Sequence, residues 1–256
     1  MRSLPSRVVS VARAVACLVV AGALAAPPPA AGQTAHPGVG RSRWAEDLEA
    51  CDAALRHGRW RRALRCVDAL RDRITEQSWY EPDLAEVLAE VELQRAVAEA
   101  NLGRGDDALW DWYEAQNFHR DVASTDLAPY GEAADLLSGR VLRRRGEYPE
   151  GYRAPVITVT SEYQPPVEKR KPSAAVHRNG AALHKHLPPV QLEVLWDTHG
   201  VPHQPVVTSD WSHPITVYWA LETLRASPPA RPARLDGRPV ATLEDVVFEW
   251  GGDRRP

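Results

Sequence analysis

Between Trp44 and about Tyr148, apolar residues recur every three or four positions. Trp44, Leu48, Cys51 and Leu55 fall on one helix face, and Trp60, Ala63, Leu64, Val67, Leu70 and Ile74 on the next. His57-Gly58-Arg59 separates the two, with Gly58 suited to the left-handed position that closes a helix. A second hairpin is predicted from Pro82 through Leu84, Val87, Leu88, Val91, Ala96, Val97 and Ala100. It turns at Gly103-Arg104-Gly105 and continues through Ala108, Trp112 and Ala115. A third helix is predicted from Pro129, carrying Ala134, Leu136, Leu137, Val141 and Leu142 and turning at Gly146. The glycines Gly58, Gly103 and Gly146 stand 45 and 43 residues apart, an internal repeat that implies stacked helix pairs.

The period changes after residue 150. Residues 151–189 read as a Pro-rich linker, with Val156–Thr160 as a candidate short strand and a basic run Glu168-Lys169-Arg170-Lys171. From 190 the alternation is that of strands. Val190, Leu192, Val194 and Trp196 share one face, opposite Gln191, Glu193 and Leu195, as in a half-buried strand. Asp197-Thr198-His199-Gly200 turns the chain into a second strand, Pro205–Thr208. Ser212 and Pro214 open a helix with the apolar face Ile215, Tyr218, Trp219, Leu221, Leu224 and Ala226. Asp236-Gly237 predicts a hairpin between Arg234-Leu235 and Arg238-Pro239-Val240. A last strand, Thr242 to Trp250, places Val246, Phe248 and Trp250 together. Residues 190–250 alone make a small domain, whose core would lean on Trp196, Trp219, Phe248 and Trp250.

The amino end reads as an address. Arg2, Arg7 and Arg13 precede the uncharged run Ala14–Ala26, too short to span a bilayer, and Pro27 to Pro29 end it. Ala23-Leu24-Ala25 suits signal peptidase, so 1–25 is predicted to be a signal peptide and 26–43 a linker. An uncleaved membrane anchor is the alternative. Export to the periplasm or cell envelope puts Cys51 and Cys66 in an oxidising compartment, where a disulfide competes with two buried thiols at a helix contact.

Composition narrows the chemistry further. The 256 residues carry a net charge of -3, which argues against a nucleic-acid binder with a broad basic field. Of 31 basic residues only Lys169, Lys171 and Lys185 are lysines, a skew of genome composition. No G-x-S-x-G, H-E-x-x-H or Gly-rich phosphate loop is present, so the reading is non-enzymatic and without cofactor. Asp210, Ser212 and His213 read as a helix cap, Asp106-Asp107 as a helix opening, and Glu244-Asp245 as a solvated stretch of strand. Six of the nine histidines lie between His177 and His213, so His184, His186, His199 and His203 form a candidate metal site.

Two resemblances organise these pieces. The segments Leu55–Ala63 and Asn101–Ala108 resemble tetratricopeptide repeats, in which a small residue, here Ala63 or Ala108, follows the turn glycine by five positions. Leu192-Glu193-Val194-Leu195-Trp196-Asp197-Thr198-His199-Gly200, the helix Tyr218–Arg225, and Pro232-Ala233-Arg234-Leu235-Asp236-Gly237-Arg238-Pro239-Val240 through Phe248 together resemble the C-terminal domain of TonB-family energy transducers. The expected fold is therefore α plus α+β: a TPR-like helical array over 44–150, then a TonB-like β-β-α-β(β) domain over 190–250. The resemblance implies docking to outer-membrane transporters by addition of a strand. It puts the partner-binding edge on Thr242, Leu243, Glu244, Asp245, Val246, Val247, Phe248 and Glu249.

The leading expectation is an exported adaptor that binds protein partners through this edge, with self-association through the same edge as a further outcome. A membrane-anchored transducer subunit and a His-cluster metal-binding envelope protein are the alternatives. Nucleic acid is not expected as a partner, and a membrane only if the N-terminal segment is uncleaved.

Overall fold

A computed structural model describes residues 43–77, 80–158, 160–167, 187–210 and 212–250. The predicted signal peptide, residues 26–42, the basic run 168–171, His184 and His186 lie outside the described residues. The described part is a mixed helix-and-sheet fold with five α-helices and two small antiparallel sheets. The helices are α1 (Ala45–Arg56), α2 (Trp60–Gln77), α3 (Leu84–Asn101), α4 (Gly105–Phe118) and α5 (Pro214–Arg225). No helix among the described residues is long and apolar enough to cross a membrane.

Helices α1 to α4 follow the predicted hairpins. Gly58 and Gly103 both take positive φ at the turns, and the closing N–H groups return to the helix ends, as in Arg104 N to Glu99 O at 2.9 Å. Ala63 and Ala108 are fully buried, which lets neighbouring backbones approach closely. Cys51 and Cys66 form a disulfide that joins α1 to α2. Helix α3 is buried on nearly all sides, charged residues included.

The predicted third helix does not form. Short 3-10 turns at Ala128–Tyr130 and Glu132–Leu136 take its place, after another at Arg120–Ser124. Gly131 and Gly139 sit at φ 87° and 70°, conformations that a helix cannot contain. Side chains of α4 then capture the backbone that would have bonded along the helix. Trp112 Nε1 and Gln116 Nε2 donate to Arg140 O at 2.7 and 3.1 Å, and Leu142 N donates to Gln116 Oε1 at 2.7 Å. Residues 140–148 therefore run as a strap without regular structure.

The strands are β1 (Tyr163–Gln164), β2 (Val190–Trp196), β3 (Pro202–Val207), β4 (Arg234–Leu235), β5 (Arg238–Pro239) and β6 (Thr242–Phe248). The main sheet has the order β3-β2-β6, antiparallel throughout, and the small sheet the order β1-β4-β5. The Asp236-Gly237 hairpin forms as predicted, with positive φ at both residues. The strand in the Pro-rich stretch is Tyr163–Gln164, paired to β4, whereas Val156 and Ile157 are exposed loop residues: no strand offers them a ladder.

One face of the main sheet packs on α5. Val190, Leu192, Val194, Trp196, Val246, Phe248 and Trp250 join Ile215, Tyr218, Trp219 and Leu221 in a buried cluster. The Trp219 and Trp250 rings lie 5.9 Å apart. That cluster continues into Val67, Leu70, Ile74 and Val87 of α2 and α3, so the helices and the sheet share one core. Burial on the opposite face is greater than simple alternation predicts. Leu195 is fully buried, and Glu193 is covered because the strap lies over it. There Arg143 Nη1 donates to Glu193 Oε1, Arg143 Nη2 donates to Glu193 O at 2.7 Å, and Gly146 N donates to Glu193 Oε1 at 2.8 Å.

Candidate functional site

The predicted docking strand β6 is an edge strand. It pairs with β2 in an unbroken register from Val190↔Phe248 to Trp196↔Thr242. In an antiparallel ladder, alternate residues turn N–H and C=O toward the partner or away from it. Gln191 O accepts from Thr208 N at 2.9 Å and Glu193 O from Arg143, so both carbonyls point away from β6. Their register partners Val247 and Asp245 accordingly point their backbone groups outward, as does Leu243. Only these three residues of the predicted edge Thr242–Glu249 can pair with an added strand. Thr242, Glu244, Val246 and Phe248 spend their backbone groups on β2, and Glu249 lies beyond the strand end.

Part of this rim is occupied. Leu243 N donates to the Tyr148 hydroxyl at 3.3 Å, and Arg145 reaches Asp245 Oδ2 at 3.5 Å. Tyr163 OH donates to Glu244 Oε1 at 2.7 Å. Beyond them, no hydrogen bond among the described residues reaches the N–H of Asp245 or Val247, and Val247 is half exposed. The opposite rim, β3, is closed. Asn117 of α4 donates from Nδ2 to Pro205 O at 2.8 Å and accepts at Oδ1 from Val207 N at 3.0 Å. One amide thus satisfies the donor and acceptor that a neighbouring strand would have engaged.

The D-x-x-G turn between β2 and β3 has a clear physical basis. Asp197 Oδ1 accepts from His199 N and Val201 N at 2.7 and 2.9 Å, and His203 Nε2 lies 3.2 Å from Oδ2. Burial works against its charge, but the Val201 and His199 N–H groups and the His203 ring prevail and hold the carboxyl below its usual range. Gly200 has φ 79°, and a Cβ there would stand 2.0 Å from Ala230 O. His199 and His203 thus serve one carboxylate, while His184 and His186 lie outside the described residues. His213 caps α5, accepting at Nδ1 from Ile215 N at 3.2 Å.

A second constellation was not anticipated from the sequence. Glu92 and Arg95 of α3, Asp111 and Glu114 of α4, and Arg225 of α5 meet in the interior. Arg95 Nη1 donates to Glu92 Oε2 and Asp111 Oδ1 at 3.1 and 3.3 Å, and Arg225 Nη1 to Asp111 Oδ1 at 2.6 Å. Burial raises the proton affinity of all three carboxyls. Asp111 is pushed up to about 7 despite Arg95 and Arg225, and Glu114, beside the acids Glu92, Glu222 and Asp111, is raised well above the usual range. The available clue was spacing: Glu92/Arg95 and Asp111/Glu114 are both three apart, hence on one helix face.

Comparison with known protein families, characterised proteins and solved structures finds no match to this chain.

Proposed function

We propose that this chain is an exported, non-enzymatic adaptor that engages a protein partner by adding a strand to β6, with a TonB-like C-terminal module built onto a TPR-like helical layer. The observation that carries the reading is the unequal treatment of the two rims of one sheet: β3 sealed by Asn117, β6 with outward N–H groups at Asp245 and Val247. An edge with free donors and acceptors is a template for another chain unless it is covered. The Cys51–Cys66 bond supports export, because disulfides persist in oxidising compartments. The motif order Asp197-x-x-Gly200, α5, Asp236-Gly237, β6 supports the TonB-like reading, since each motif has a part in shaping the sheet that bears the edge.

Proline substitution at neighbouring positions tests it on the full chain. Val247→Pro removes an outward N–H and is expected to leave the fold intact while abolishing capture of the envelope protein that the wild type binds. Val246→Pro removes an N–H aimed at β2, leaving a Leu192 carbonyl without its donor, and is expected to destabilise by about 1–3 kcal/mol or more. Undiminished capture by Val247→Pro would overturn strand addition at this rim.

A further inference from the structure

The interior where α3, α4 and α5 meet holds three buried carboxylates, Glu92, Asp111 and Glu114. Arg95 and Arg225 reach into this group, while Asp107 and Glu222, which also pair with Arg225, are part-exposed. The arginines hold one oxygen of Glu92 and one of Asp111, and so fix the orientation of both side chains. The remaining oxygens, Glu92 Oε1 and Asp111 Oδ2, are buried without a hydrogen-bond donor. Independently of that pair, Glu114 is 1% exposed and neither of its oxygens has a donor. It is aimed into the same spot, since oxygens from Glu92, Asp111 and Glu114 lie within 4.8 Å of one another.

A buried carboxylate oxygen without a donor carries a large desolvation penalty, and several converging on one point call for a positive charge. From this convergence we propose that Glu92, Asp111 and Glu114 bind a hard divalent cation of the Mg²⁺, Ca²⁺ or Mn²⁺ class. The donors are all carboxylate oxygens, which suits such ions, and no imidazole or thiolate belongs to the set that would select a softer metal. Arg95 and Arg225 bond the other oxygens of Glu92 and Asp111, as outer partners orient ligands in metal sites. The ion ties α3 to α4 at the point where Arg225 of α5 bonds Asp111, so its role is structural and it extends the adaptor reading without depending on it.

The full chain, stripped with EDTA, is titrated with MnCl₂, CaCl₂ and MgCl₂ in separate arms. The expected result is a single bound Mn²⁺ with an electron paramagnetic resonance spectrum unlike that of the aqueous ion, together with a raised melting temperature. Glu114→Gln should weaken binding roughly 10- to 100-fold or more, while melting in EDTA no lower than the wild type. Should that variant fail to fold, Glu92→Gln carries the same comparison. No response of the wild type to any of the three salts would overturn the site and leave protons as the neutralising charge. Equal binding by wild type and variant would overturn it too, since it would place the ion on surface carboxylates.

Discussion

On the β3 rim the side chain of Asn117 stands where the next strand would be, giving Pro205 and Val207 the two hydrogen bonds they lack. On the β6 rim the equivalent positions receive a tyrosine hydroxyl at Leu243 and, among the described residues, nothing at the N–H groups of Asp245 and Val247. Both strands flank the same β2, and both are buried on one face: β6 places Val246 and Phe248 in the cluster with α5, and β3 places Val206 in the cluster with α3 and α4. The difference is therefore not one of burial. It lies in what stands beside each rim: α4 lies against β3, while the strap 140–148 and Tyr163 approach β6. A sheet whose rims were both open would pair indiscriminately, and one with both rims sealed would offer no site.

The largest change to this contrast should come from Asn117→Ala. It leaves the Val207 N–H and Pro205 C=O without partners in a half-buried place, which costs about 1–3 kcal/mol for each group that water cannot reach. Urea denaturation measures the loss. The variant should also begin to self-associate through β3 at concentrations where the wild type sediments as before. Unchanged stability and sedimentation together would mean that the amide is not what closes that rim.

These rims differ in how far the sequence announced them. Alternation from Val190 to Trp196 and in Val246, Phe248 and Trp250 marks strands because side chains alternate across a pleat. Asp236-Gly237 marks its hairpin because both positions need positive φ. The open rim was thus legible as a strand, but which of its residues face outward depends on register with β2, and register is a long-range fact. The seal was not legible at all, since nothing local to Asn117 reports that it will meet residues 88 and 90 positions away. The third helix failed for a similar reason. Its periodicity at Ala134, Leu137 and Leu142 is genuine, and those residues are buried, but α4 side chains claim the backbone. Buried carboxylates such as Glu114 look, in sequence, like any polar helix position.

A smaller effect is expected at the turn that delivers β2 into β3. Asp197→Asn weakens the acceptor for His199 N and Val201 N and should cost about 0.5–1.5 kcal/mol near neutral pH. The folded state holds this carboxyl below its unfolded value, so its stabilisation is present above about pH 4 and disappears as pH falls through the lower folded value. Wild type and variant should then converge in acid. Urea midpoints measured across the acid range test this, and a difference that persisted in strong acid would assign the effect to shape and not to charge. The sealed rim, not the open one, should loosen in step.

The smallest stability change should come at Tyr148, together with a gain in binding. Its hydroxyl accepts from Leu243 N at 3.3 Å, a long bond on the outward side of the edge strand. Tyr148→Phe should leave stability within about 0.5 kcal/mol, because the freed N–H turns to water. An incoming strand could then use Leu243 as well as Asp245 and Val247, and one extra hydrogen bond of about 0.5–1.5 kcal/mol corresponds to roughly 2- to 10-fold tighter binding. Calorimetry with the partner captured by the wild type measures it, with Arg145→Ala as a control that removes the ion pair to Asp245 while leaving the tyrosine in place. Weaker binding by Tyr148→Phe would instead make the tyrosine part of the docking surface, with the partner running across the strap and not along β6 alone.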